Sequence, residues 1–197
     1  LYMDADHSGL LTMRLTTDFT EAAEKICWQY KNLHAPFCRE APAVFSHEGK
    51  WFMLTSGMTG YVPNRSDSAA ANSPDAPFLS IGNPHVEDDS CASFNSQISQ
   101  VFKVPSKRGL YIALADRWVP DYPVDAKLAD LLERCTAQRF DPKHYKATPE
   151  EMQHMMQSPM LSSANTSRAD YVWLPITFEN GKPKIHWCDS WKLSEFE

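Results

Sequence analysis

Arg39-Glu40-Ala41-Pro42-Ala43-Val44-Phe45, followed by Gly49-Lys50-Trp51-Phe52-Met53-Leu54-Thr55-Ser56-Gly57, sets one carboxylate at the mouth of a β-strand pair. Pro42, two residues after Glu40, disfavours helix and fixes an extended approach to the strand. Residues 43–46, the turn His47-Glu48-Gly49-Lys50 and the alternating run 51–55 read as a hairpin, with Gly49 supplying the turn. Glu40 thus stands at a strand start, where loops and strand ends carry function.

Working outward, Leu1-Tyr2-Met3 reads as a strand, Asp4-Ala5-Asp6-His7-Ser8-Gly9 as a turn and residues 10–15 as the return strand. Residues 18–38 read as a loop with a short amphipathic turn around 21–26. Beyond the hairpin, residues 64–77 form a long polar loop, and strands are expected near 78–81, 97–104 and 110–114. The texture then changes. Val124, Leu128, Leu131, Leu132 and Cys135 fall on one face of a helix. Thr148-Pro149-Glu150-Glu151 is a capping box with Pro at the first helical position, and Met152, Met155 and Met156 follow on one face. Core packing of the insertion is the expected role of these methionines, rather than a metal or haem box.

The chain of 197 residues is long enough to bury a full core as one domain. A net charge of −6 argues against nucleic acid or an anionic membrane surface as partner and suits a neutral substrate. No apolar run approaches about 18 residues, and no basic-then-apolar stretch opens the chain, so neither a membrane span nor a signal peptide is read in it. Cys27, Cys38, Cys91, Cys135 and Cys188 show no zinc spacing; free thiols are expected, with a Cys27–Cys38 disulfide left open. Asp4-x-Asp6-x-Ser8-Gly9 mimics the opening of a calcium loop. Leu15 stands where that loop needs a bidentate Glu, so no calcium or other cofactor is indicated.

The hairpin stretch resembles the acid-bearing blade of glycoside hydrolase family 43, and within it the exo-β-1,3-galactanase group. The resemblance continues through Gly82-Asn83-Pro84, Ser93-Phe94-Asn95-Ser96-Gln97, Ala115-Asp116-Arg117-Trp118, Tyr171-Val172-Trp173-Leu174-Pro175-Ile176, Trp187 and Trp191. It covers most of the chain outside residues 121–168, and the order and spacing of the islands carry it. It implies an all-β fold, a partial five-bladed β-propeller. Residues 1–197 would be its C-terminal blades, roughly two and a half of them, with a helical insertion at about 121–168. In the resembled family about half of the propeller precedes the point where this chain starts. An open propeller would leave strand edges uncovered and would be expected to associate. The resemblance also suggests a secreted or periplasmic setting.

Glycoside hydrolysis needs an acid to protonate the leaving oxygen and, in inverting enzymes, a group about 6.5–9.5 Å away to activate water. Glu40 matches the family's acid; among apolar neighbours its pKa would rise enough to keep a proton near neutral pH. The alternative is a surface carboxylate paired with Arg39. Gln97 matches the position that reaches the site opposite the acid. As an amide it is a poor base, which leaves two roles: orienting the attacking water, or relaying a proton through its imidic tautomer. A third role is that of an ordinary buried amide. Thr59, Tyr61 and Trp118 resemble pocket residues of the family. Asp116, with Arg117, is either a site residue or half of a buried ion pair. Trp173, Trp187 and Trp191 are expected in the propeller core. The family's Asp that tunes the acid would lie just upstream of Leu1.

These readings imply an inverting glycosidase acting from chain ends on β-1,3-galactan or the backbone of arabinogalactan. The alternatives are a noncatalytic propeller remnant that binds glycan or a partner, and another family 43 specificity such as arabinofuranosidase or xylosidase.

Overall fold

The computed structural model describes residues 1–121, 124–157 and 165–197. Its described strands form three antiparallel sheets. The first holds β1 (Tyr2–Asp4), β2 (Leu10–Leu15) and β3 (Ala22–Gln29) in chain order. The second holds β4 (Arg39–His47), β5 (Lys50–Gly57), β6 (Asp67–Ala71) and β7 (Leu79–Gly82). The third holds β8 (Gln97–Lys103), β9 (Tyr111–Arg117), β10 (Asp170–Glu179) and β11 (Lys182–Ile185). Two helices, α1 (Ala126–Phe140) and α2 (Pro149–Gln157), lie between β9 and β10. The fold is mostly β with a helical part; the sheets are blade-like, and the described residues do not form the closed ring of a propeller.

The decisive hairpin is as read. β4 and β5 pair from Arg39↔Gly57 to His47↔Lys50. Glu48 and Gly49 both take positive φ, 48° and 78°, as a tight two-residue turn that follows the twist of the strands demands. At its other end the ladder slips between Glu40 and Ala43, and Ala41 sits at φ 50°. That bulge precedes Pro42, which has no N–H to give a ladder.

Two strand readings are corrected. Residues 22–29, read as a loop with an amphipathic turn, are strand β3, paired with β2 through two register shifts. Its Ala-Ala-Glu-Lys start is exposed and carries no alternating signal; pairing with β2 decides its conformation. Within the polar loop of residues 64–77 lies β6, whose Ser68-Ala69-Ala70-Ala71 run is a weak strand former. It pairs with β5 from Thr55↔Asp67 to Trp51↔Ala71, and its small side chains sit against Met53 and Phe78.

β4 packs against β8, and β1 against β4. β4 and β8 both start at the end where Glu40 and Gln97 lie. β1 runs the other way: Tyr2 bonds Pro74 beyond the far end of β6, whereas Asp4 ends close enough to Glu40 to act on its charge. β1 therefore matches β5 and β9 in direction. No described strand stands in the first sheet where β4 and β8 stand in theirs, which leaves three strands there in place of four.

The main core lies between the two four-stranded sheets. Phe45, Phe52, Leu54, Ile98, Tyr111, Leu174, Ile176 and Ile185 form it, with Phe45 5.6 Å from Phe52 and 5.3 Å from Tyr111. Burying a side chain such as Phe52 contributes about 1.5–3 kcal/mol. The tryptophans expected in this core are elsewhere. Trp173 and Trp187 are exposed, and Trp191 is half-buried with its indole N–H on the Trp173 carbonyl. The five cysteines are free thiols, so Cys27 and Cys38 are not bridged.

Both expected helices are present; residues 122–123 and 158–164 of the expected insertion lie outside the described residues. Asp125 caps α1 by accepting from the Leu128 N–H, and α1 buries Leu132 and Cys135 as the periodicity predicts. At α2 the capping box is reciprocal: the Thr148 N–H donates to Glu151, and the Glu151 N–H donates to the Thr148 hydroxyl. No residue of α2 is buried. Met155 packs partly against Val62 and Leu132, but the methionine face as a whole does not form the core expected of it.

Candidate active site

Glu40 is the second residue of β4, directly across from Ser56 of β5. Its neighbour Arg39 does not pair with it. The Arg39 guanidinium donates to the Thr55 hydroxyl and carbonyl at 3.0 and 2.8 Å and to the Arg65 carbonyl at 3.1 Å. Glu40 is left half-buried, facing Gln97 of β8. Burial raises its pKa above the ordinary carboxylate value, and the nearby charge of Asp4 adds to that; the hydrogen bond from Gln97, then His7 and Arg39, work against it.

Gln97 joins the two four-stranded sheets. Its amide nitrogen donates to the Glu40 carboxylate at 2.9 Å and to the Ser56 hydroxyl at 2.8 Å, while its amide oxygen accepts from the Trp118 indole at 2.9 Å. The orientation is forced, since an indole N–H can only donate. Glu40 and Gln97 are in direct contact, so the gap an inverting pair holds open for sugar and water is not found between these two side chains.

The other expected residues divide. Tyr61 and Trp118 stand 5.4 Å apart, their rings inclined at 56°, and together with Ser56 and Gln97 they line a recess of about 10 Å³, roughly one water molecule in size. Thr59 lines a separate, larger cleft together with Glu40. Its hydroxyl is held inside its own loop, donating to the Val62 carbonyl and accepting from Asn64, both at 2.6 Å. Asp116 sits opposite Gln97 in the β8–β9 ladder and is not among the residues lining that recess or that cleft. Nor does it pair with Arg117, whose guanidinium lies 5.6 Å from the Trp187 ring.

The sequence reading missed Ser56 and Asn64. Ser56 is buried and holds Gln97. The Asn64 side chain bonds both backbone groups of Gly57, accepting at 2.7 Å and donating at 2.9 Å. It thereby closes the loop that carries Thr59 and Tyr61. Gly57 is required there, because a Cβ would meet the Pro36 carbonyl at 2.6 Å. The one signal in the sequence was the Gly57 to Asn64 spacing around Thr59-Gly60-Tyr61.

The larger cleft encloses about 810 Å³. Glu40, Met58, Thr59 and His7 form one side; Phe140 and Arg139 of α1 and the α2 methionines form the other. The insertion therefore covers one rim of the Glu40 site. It is anchored on the loop between β3 and β4, where His34 stacks on Phe140 and Phe37 lies 5.3 Å from Tyr145.

No protein-family model matches the chain, and neither does any curated protein. Solved structures do. A family 43 β-1,3-galactosidase superposes with a TM-score of 0.66 at 24% identity, over 96% of this chain and 30% of that one. A second, in complex with galactodeoxynojirimycin, gives 0.60 at 25% identity over 93% of this chain and 40% of that one. An exo-β-1,3-galactanase from Clostridium thermocellum gives 0.56 at 18% identity, covering 92% and 29%. The chain thus spans well under half the length of these proteins. The likeness read from the sequence islands is met in the arrangement of the sheets.

Proposed function

We propose that this chain is the acid-bearing, C-terminal part of a five-bladed propeller glycosidase of family 43, with Glu40 as the general acid. The observation that carries the reading is the Glu40–Gln97–Trp118 chain of hydrogen bonds at the junction of two sheets. It holds a half-buried carboxyl at the edge of a cleft, and burial raises the pKa of that carboxyl, the direction a proton donor needs. Gln97 acts here first as the residue that positions Glu40. Tyr61 and Trp118 offer an aromatic wall for the C–H face of a sugar.

Terminal β-1,3-linked galactose is the substrate that the similar proteins' names support, and release from chain ends by inversion comes with the same resemblance. A secreted setting fits an enzyme of polysaccharide; among the described residues, no helix is long and apolar enough to cross a membrane. The test is incubation with β-1,3-galactooligosaccharides, following free galactose and its first anomer by NMR. α-Galactose appearing first is the expected result; β-galactose first rules out inversion, and no release by the protein or by any longer form containing it rules out the activity.

A second reading has its own support. Among the described residues, Glu40 is the one carboxylate lining the cleft. A noncatalytic remnant that binds glycan would keep the cleft and lack the partner carboxylate. It would bind these oligosaccharides and return them intact.

A further inference from the structure

The last turn of α1 brings unused hydrogen-bond donors to the cleft that Glu40 lines. Arginines around the insertion are paired: Arg134 with Glu151, Arg168 with Asp121, and Arg65 with Asp130 of α1. Arg139 is different. It is exposed, lines the same cleft as Glu40, and has no ion pair or hydrogen bond among the described residues; the residues outside them include no Asp or Glu. Thr136, one turn back on the same side of the helix, lines the cleft too, and its hydroxyl has no partner among the described residues. The Gln138 amide oxygen accepts from the Ala147 N–H, which leaves its NH₂ as an unused donor in the cleft lining.

The rest of the lining offers little to neutralise this cation. Glu40 is the one carboxylate lining the cleft among the described residues, and it is already held by the Gln97 amide. The His7 ring lies 3.4 Å from Asp4 and 3.1 Å from the Met58 sulfur, and the Thr59 hydroxyl is bonded within its own loop. The α2 methionines and Phe140 add apolar walls and no charge. A ligand in the cleft therefore meets one unpaired guanidinium beside two neutral donors. A guanidinium fork matches a carboxylate bidentately, and such charge-assisted bonds are the strong ones. With a net charge of −6 the protein as a whole does not attract anions, so selectivity for one has to come from this local group. A cation in a last helical turn also suits the helix dipole, but that role by itself leaves ligand affinity untouched.

We infer that Arg139, with Thr136 and Gln138, forms a carboxylate-binding subsite in the Glu40 cleft, so that galactan bearing a uronic acid is bound in preference to the neutral chain. The inference rests on the glycosidase reading above for galactose as the sugar. It is tested by calorimetric binding of β-1,3-galactotriose and of the three trioses in which the first, second or third galactose is replaced by galacturonate, each at low and high salt. At least one acidic triose is expected to bind about three- to tenfold tighter than the neutral one at low salt, with the gain shrinking as salt is added. Arg139→Gln is expected to remove the gain, and Arg139→Lys to keep part of it. If no acidic triose binds tighter than the neutral one, or the gain is unchanged in Arg139→Gln, the subsite is overturned and Arg139 is a cation at a helix end. Galactose release from the neutral triose then decides the glycosidase reading by itself. An Arg139-dependent gain with every triose returned intact keeps the subsite and favours the noncatalytic glycan-binding reading.

Discussion

The Trp118 indole N–H donates to the Gln97 amide oxygen at 2.9 Å, and this contact fixes which end of the amide meets Glu40. Because the oxygen is held by a group that can only donate, the NH₂ end must face the carboxylate and the Ser56 hydroxyl. Residue 97 therefore stabilises the charged form of Glu40, while burial stabilises the neutral form. The carboxyl lies between two opposing effects, and each can be removed separately.

Removing Gln97's donor tips that balance. In Gln97→Met the carboxylate loses its amide partner, and the Glu40 pKa is expected to move further up. A carbon-detected NMR titration of the Glu40 carboxyl reads this directly, and the alkaline limb of the rate profile should follow it to higher pH. A downward shift would mean that the hydrogen bond does not hold the charged form.

Glu40→Gln separates function from stability. Hydrolysis of substrates with poor leaving groups is expected to fall by about 10²–10⁴-fold, and that of activated aryl galactosides less. Stability should move the other way. A carboxyl with a raised folded pKa contributes its stability at low pH and loses it as pH rises through that pKa. The variant should therefore be more stable than the parent at neutral pH, with the gap closing on acidification. Denaturant melts at several pH values check this, and a variant less stable at pH 7 would show that Glu40 serves the fold.

His85 gives an acid-side dependence of its own. Burial pushes its imidazole down to about 4 from the ordinary 6.5. The unfolded chain takes up that proton first, so stability is full above pH 6.5 and is lost as pH falls toward about 4. His85→Leu should flatten the melting temperature across that window. An unchanged slope would place the acid sensitivity elsewhere.

Phe52 tests whether the two four-stranded sheets unfold as one. It is 1% exposed and packs with Phe45 and Phe178 between them. Phe52→Ala is expected to cost about 3–5 kcal/mol in a single cooperative transition. Two separate transitions by fluorescence and circular dichroism would show that the sheets are independent.

Where one sequence signal had one structural answer, the chain could be read directly. Pro42 and the Glu48-Gly49 turn allow one hairpin, and it is found in that register, although Phe52 to Thr55 are buried on both faces and do not alternate. The Thr148 to Glu151 box allows one helix start. β3 escaped because its exposed start carries no periodic signal, and β6 because its small, buried side chains look like a polar loop; only their neighbours' ladders make them strands. The Trp173 and Trp187 positions escaped for a related reason, since an aromatic residue states how much it can bury and not whether a neighbour covers it.

The sequence by itself determined that Glu40 stands at a strand start, that Gln97 opens another strand, and that a helical pair follows β9. Only the tertiary structure decided that Glu40 turns from Arg39 to Gln97, that Trp118 holds the amide, and that the methionines line the cleft. Strand order and spacing are local properties, written in turns, prolines and alternation. The partners of a carboxylate or a methionine face are set by contacts between residues far apart in the chain, here 57 positions for Glu40 and Gln97, and no local pattern encodes them.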